Sequence, residues 1–178
     1  MREDVSAEDP ARVRRLVEST GFFSAAEVDI AEELVLEALA RGDAAGYFFC
    51  FASSGEDRLD AYACYGPIPC TASSYDLYWI AVRPQLQGLG LGRELSERVE
   101  QRVAQRGGTR LYADTSGRAQ YEATRRFYEH CGYHRAAVLS DFYAPADDKI
   151  IYVKVLDSDR RRTDGRSHAG GHDLRSEG

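Results

Sequence analysis

Between residues 85 and 103 the chain reads QLQGLGLGRELSERVEQRV, three glycines at alternate positions running straight into a helical repeat. Upstream lies YDLYWIAV, apolar and β-rich, so a strand delivers the chain to the glycines and a helix carries it away. The first amides of such a helix have no intrahelical acceptor and, with the helix dipole, favour an anion at its mouth. Glycine removes the side chain that would hold a phosphate oxygen away from those amides. The stretch therefore predicts a phosphate cradle on an α/β scaffold.

The rest of the chain alternates helix and strand around that point. DPARVRRLVESTG places Val13, Leu16 and Val17 at helical spacing and stops at Gly21. SAAEVDIAEELVLEALARG opens with a Ser-x-x-Glu capping box at Ser24 and Glu27 and closes before Gly42. GYFFCFAS and RLDAYACYG flank the turn composition SGED and predict an antiparallel hairpin, with YDLYWIAV as a third strand. Beyond the glycines come a long helix to about Arg106, a strand RLYADTS, a helix AQYEATRRFYEHCG, and two strands around AAVLSDFY and KIIYVKVL. A chain of 178 residues, 43% of them hydrophobic, is long enough for one domain with a sizeable core, expected over residues 1–156. Residues 157–178 nearly lack apolar side chains and read as a disordered polar tail, with His168 and His172 as solvated groups in it.

Several functions are disfavoured by composition. A formal net charge of -6 argues against nucleic acid as a partner, and the runs RVRR from Arg12 and RRR from Arg160 read as solvated charge. The charged start MREDVSAEDPARVRR has no apolar segment, and no apolar run approaches about 18 residues. A cytoplasmic protein with no membrane partner is expected. Cys50, Cys64, Cys70 and Cys131 lack the spacing of a metal site, so reduced packing thiols and no metal are expected.

Spacing separates the kinds of phosphate. GxxxxGK[ST] is absent, and Gly88, Gly90 and Gly92 run as GxGxG rather than the dinucleotide GxGxxG. The fit is to Gln-x-x-Gly-x-Gly at Gln87, Gly90 and Gly92, after a strand ending IAVRP. A second motif, YEATRRFYEHCGY, sets Tyr121, Thr124, Arg125 and Tyr128 along one helical face and turns Phe127 and Cys131 elsewhere, inward. In this order the two motifs resemble those of the GCN5-related N-acetyltransferases, over roughly Tyr47 to Val155 and most strongly from Tyr75 to Tyr133.

That resemblance implies an α/β (α+β) fold: a mixed central β-sheet of six to seven strands flanked by helices, with acyl-CoA bound where two strands splay apart. It implies that Gln87, Gly88, Leu89, Gly90, Leu91, Gly92 and Arg93 hold the coenzyme's pyrophosphate, with Thr124 and Phe127 adding contacts. Backbone of Ile80, Ala81 and Val82, on a bulged strand, would pair with the pantetheine arm and face the thioester oxygen. Tyr128 matches the tyrosine that protonates the departing CoA thiolate. Asp76 stands where histone-acetylating members carry a glutamate base, with Asp114, Glu122 or ordered water as alternatives. Arg93, Arg125 and Arg126 could meet CoA phosphates or be surface charge. The implied reaction moves acetyl from acetyl-CoA directly to a primary amine of a small molecule. A protein or peptide amine is the alternative acceptor, and a non-catalytic CoA-sensing module the alternative function. Trp79 is expected in the core, Asp141 near an acceptor's ammonium, and Asp147 to Lys149 in an exposed turn. The last strands offer an edge through which the chain could form a homodimer.

Overall fold

A computed structural model describes residues 1–55 and 58–156. The polar tail with His168 and His172, and part of the SGED turn, lie outside the described residues. Helix α1 (Asp9–Thr20) buries Val13, Leu16 and Val17 and ends on Gly21, whose φ of 69° is the left-handed conformation expected of a C-cap. Helix α2 (Ala25–Arg41) begins with the reciprocal Ser24 and Glu27 capping box. Strands β1 (Phe48–Ala52) and β2 (Ala61–Pro67) form the hairpin, and β3 (Ser74–Val82) pairs antiparallel with β2. Helix α3 (Leu91–Gln105), β4 (Arg110–Ser116), α4 (Glu122–His130), β5 (His134–Ala144) and β6 (Asp147–Val155) complete the order. The helix expected from Ala119 opens as a 3-10 turn, Ala119–Tyr121, before α4 proper.

The six strands make one mixed sheet in the order β1-β2-β3-β4-β6-β5, with β3 and β4 parallel and the other neighbours antiparallel. Strand alternation divides its side chains between two cores. On one face Leu95, Val99 and Val103 of α3 and Tyr128 of α4 pack on Ala63, Tyr65, Leu77, Leu111, Ala113 and Tyr152. On the other, α1 and α2 cover Phe49, Phe51, Tyr62, Cys64 and Ala81 of β1 to β3. Trp79 packs half-buried against this second core beside Phe23, as expected. Cys50 and Cys64 are buried free thiols; burial pushes Cys50 up to about 12 and Cys64 higher still, so neither is an activated nucleophile. Arg12 and Arg14 of RVRR pair within the helices, Arg12 with Asp9 and Arg14 with Glu18, Asp29 and Glu32.

One expectation near the last hairpin is overturned. Asp147 is not in an exposed turn: it opens β6, only 3% exposed, accepting from the Ser116 hydroxyl and pairing with Arg118 at 2.5 Å. The reversal lies instead at Ala146, whose φ is 63°. Asp141 is exposed on β5, and its carboxylate accepts the Ala146 amide at 2.6 Å.

Candidate active site

The parallel pair β3 and β4 holds together only where Ser74 to Asp76 meet Arg110 to Tyr112; beyond those residues the strands part. Opposite this opening, β3 carries a bulge. Cys64 faces Trp79 and Tyr65 faces Leu77, so Tyr78 has no counterpart on β2, and Tyr78 and Trp79 both turn toward α1 and α2. The expected bulge is therefore present, just before Ile80. Past it, Arg83 N–H donates to the Asp60 carbonyl at 2.8 Å. Antiparallel alternation then aims the amides of Ala81 and Trp79 at β2, and those of Ile80 and Val82 at the gap. Of the three expected residues, Ile80 and Val82 present backbone to the opening, and Ala81 is held by the hairpin.

The glycines close this opening at one end for three separate reasons. After the 3-10 turn Pro84–Leu86, Gln87 folds back and its Nε2 donates to the Val82 carbonyl at 3.0 Å. Gly88 and Gly90 take φ of 76° and 90°, which a residue with a Cβ adopts only under strain. Gly90 is the N-cap, so α3 starts at Leu91, and the amides of Leu91, Gly92 and Arg93 precede the first helical bond, Glu94 N–H to Gly90. Gly92 already lies in the helix. A Cβ there would stand 3.2 Å from Phe127 Cε2 and 3.4 Å from Val82, so this glycine lets Phe127 of α4 lie against the helix start. Phe127 points inward as expected, Thr124 is half-buried, and Leu89 stands exposed at the loop.

Some of the candidate charges are tied up. Arg93 pairs with Glu97 at 2.9 Å, Arg125 donates to the carbonyls of Ser116 and Arg118 at 2.8 Å each, and Arg126 pairs with Glu122. Glu122 is thus an exposed helix-surface partner of Arg126. Tyr128 is buried among the rings of Phe127, Tyr133 and Tyr152, with centroids 5.4 to 5.5 Å away. Burial, then the charge of Asp114, raises its phenol, so it stays protonated at neutral pH and able to donate.

On the opposite sheet face, Asp76 aligns with Tyr112, and Asp114 follows two residues along β4 on that same face. Burial first, and the Asp114 charge second, push the Asp76 carboxyl up to about 6, against the opposing pull of Lys149. Lys149 of β6 forms an ion pair with Asp114. The burial that opposes its charge is outweighed by that hydrogen bond and the carboxylate's field, so its pKa is raised. Asp76 and Asp114 were both legible as candidates. Lys149 was not, because only the β4 and β6 register brings it to Asp114. Among the described residues no cluster could hold a metal ion, and no helix is long and apolar enough to cross a membrane.

The sequence model of the acetyltransferase (GNAT) family matches residues 13–133. A protein of Desulfovibrio desulfuricans assigned to the GNAT family is 51% identical over 88% of this chain and 98% of its own, with a TM-score of 0.85. An aminoglycoside 6'-N-acetyltransferase complexed with coenzyme A shares the fold at a TM-score of 0.66 and 18% identity, over 88% of this chain and 98% of its own. The ribosomal-protein-S18-alanine N-acetyltransferase of Escherichia coli shares it at 0.65 and 21%, over 97% and 96%. No curated protein matches the sequence.

Proposed function

The chain belongs to the acetyltransferase (GNAT) family, and from that premise we propose that it moves acetyl from acetyl-CoA to a primary amine of a small molecule, by direct attack between β3 and β4. The observation that carries this reading is the parting of these strands beside a helix capped by Gly90, with a raised carboxyl on one side and a protonated phenol on the other. The two cores share a single sheet, which supports one catalytic domain over residues 1–156.

Acetyl-CoA supplies a thioester, whose carbonyl becomes negative as an amine adds to it. The open amides of Ile80 and Val82 fit an extended pantetheine arm as an added strand would, and offer donors for that oxygen. Space at Gly88 and Gly90, where no atom approaches a built Cβ within 4 Å, fits the approach of a pyrophosphate to the start of α3. An acceptor ammonium has a pKa near 10.4, so a proton must leave before attack. Asp76 takes it, and Tyr128 returns a proton to the sulfur as the thiolate departs. Asp114 lies alongside as a second carboxylate, already paired with Lys149.

Tyr121 Oη donates to the Phe22 carbonyl at 3.3 Å and their rings lie 6.2 Å apart, tying the loop between α1 and α2 to the start of α4. The test is CoA release across amino acids, polyamines, aminoglycosides and short peptides. Turnover confined to one class of small amines is expected. Turnover with peptides alone would replace the acceptor class, and CoA binding without release for any amine would leave a sensing module.

A further inference from the structure

We propose that Lys149 is a specificity-determining residue: its own ammonium fills a second cation subsite formed by Asp114 and Phe142, and so selects acceptors with one ammonium group over diamines and polyamines. This rests on the amine-acetylating reading above and narrows its substrate class.

Three charged side chains come from adjacent strands onto one sheet face: Asp76 from β3, Asp114 from β4 and Lys149 from β6. Asp114 is paired across the ladder with Ile151, and Lys149 lies two residues along β6 from it, on the same face. The Lys149 ammonium contacts the Asp114 carboxylate and lies 4.9 Å from the centre of the Phe142 ring. A carboxylate beside an aromatic face is a setting that binds organic ammonium ions, and here the protein's own chain occupies it.

The neighbouring charges leave a simple balance. Glu27, at the start of α2, is engaged by Ser24; Asp147 is engaged by Ser116 and Arg118; Asp148 accepts the Asp141 amide. Tyr143 is a neutral phenol, its ionisation opposed by burial. Glu27 and Asp148 keep their charges, but within the cluster itself Asp76, Asp114 and Lys149 set two negative charges beside one positive, which one acceptor ammonium balances. A second ammonium must either lie against Lys149 or displace it from Asp114. The first is like-charge repulsion in a partly desolvated site, and the second leaves a shielded lysine, only 20% exposed, without its counter-ion. A neutral or anionic second group meets neither obstacle.

Three acceptors of matched length separate these cases: 1-aminobutane, 1,4-diaminobutane and 4-aminobutyrate, assayed with the native chain, Lys149→Gln and Lys149→Arg. The native chain is expected to favour either monoamine over the diamine in kcat/KM by about tenfold or more. Lys149→Gln should erase or invert that preference, through KM for the diamine rather than kcat, while Lys149→Arg keeps it. Calorimetric titration of 1,4-diaminobutane reads the subsite without turnover, and the Gln variant should bind it at least about tenfold more tightly than either charged form. Equal diamine affinity in all three proteins, each with a native melting transition, would overturn the proposal. Failure of the acetylating reading looks different: no amine releases CoA, yet the calorimetric gain in Lys149→Gln persists.

Discussion

The two outer strands of the sheet are finished in opposite ways. Four of the five residues of β1 are buried, and its free edge is paired: Phe51 exchanges backbone hydrogen bonds with Arg2 at 2.8 and 2.9 Å, while the Arg2 guanidinium lies 4.4 Å over the Phe51 ring. None of the eleven residues of β5 is buried, and Val138, Leu139, Phe142 and Tyr143 stand exposed on it. A bare edge invites another chain, and the N-terminal segment removes that risk on one side only. The contrast extends inward, since α1 and α2 cover β1 to β3 and leave the same face of β4, β6 and β5 uncovered. Asp76 lies on the last covered strand and Asp114 and Lys149 on the first uncovered ones. The packed half holds a carboxyl out of water, and the open half leaves room for an acceptor beside it.

The largest expected effect would come from disturbing the packed half. A Cβ on Gly66 would stand 2.2 Å from the carbonyl oxygen of Gly46, a backbone atom that cannot swing aside, and 3.1 Å from Tyr78. Gly66→Ala is expected to lower stability by about 3 kcal/mol, read from the denaturant midpoint at unchanged slope. A loss under about 0.5 kcal/mol, the range of ordinary surface changes, would mean that this half is no tighter than the other.

At the boundary, Asp76→Asn should lower kcat/KM by about a hundredfold or more if this carboxylate is the base. Its pH signature is specific. Because the native carboxyl sits at about 6, activity should fall as pH drops through that value. The sign for stability is opposite to that of an ion-paired acid. A folded pKa raised above the unfolded one adds stability that is fully present below the unfolded pKa and is lost as pH rises through about 6. Asp76→Asn should therefore raise Tm at pH 8 by about 2 °C, after allowing for solvent screening at a half-buried group, and leave it unchanged at pH 3. An activity loss without this change in the stability profile would separate catalysis from burial. Tyr128→Phe, which keeps the packed ring and removes only the hydroxyl, should lower kcat by about tenfold with little change in Tm.

What was legible in the sequence was local. The Ser24 capping box, the stop at Gly21 and the span of RLYADTS depend on neighbours a few residues away, and they stand as read. What was not legible depends on contacts between distant segments. DDK has turn composition, yet Asp147 is buried because Ser116, 31 positions earlier, meets its carboxylate. Gly92 reads as one more phosphate glycine, but its neighbour is Phe127 on another helix. The position of the bulge and the alternation that faces Ala81 toward β2 belong to the ladder with β2, which no single strand encodes. Thus the residue types of the proposed site were readable, Asp76 and Tyr128 among them, and the geometry that sorts Ile80 and Val82 from Ala81 was not.

The smallest expected effect probes the open edge. Leu139 is 41% exposed on β5, so Leu139→Ala should change stability by less than about 0.5 kcal/mol, with a Tm that does not move with protein concentration. A truncation inside the packed half, Val35→Ala on α2, removes methyls from a fully buried site and should cost clearly more. A larger loss at Leu139, together with a Tm that rises with concentration, would show that a second copy covers β5 in solution. In that event both edges of the sheet would be closed, one by the chain's own N-terminus and one by a partner. The acceptor approach beside Phe142 and Tyr143 would then be walled by two subunits rather than open on one.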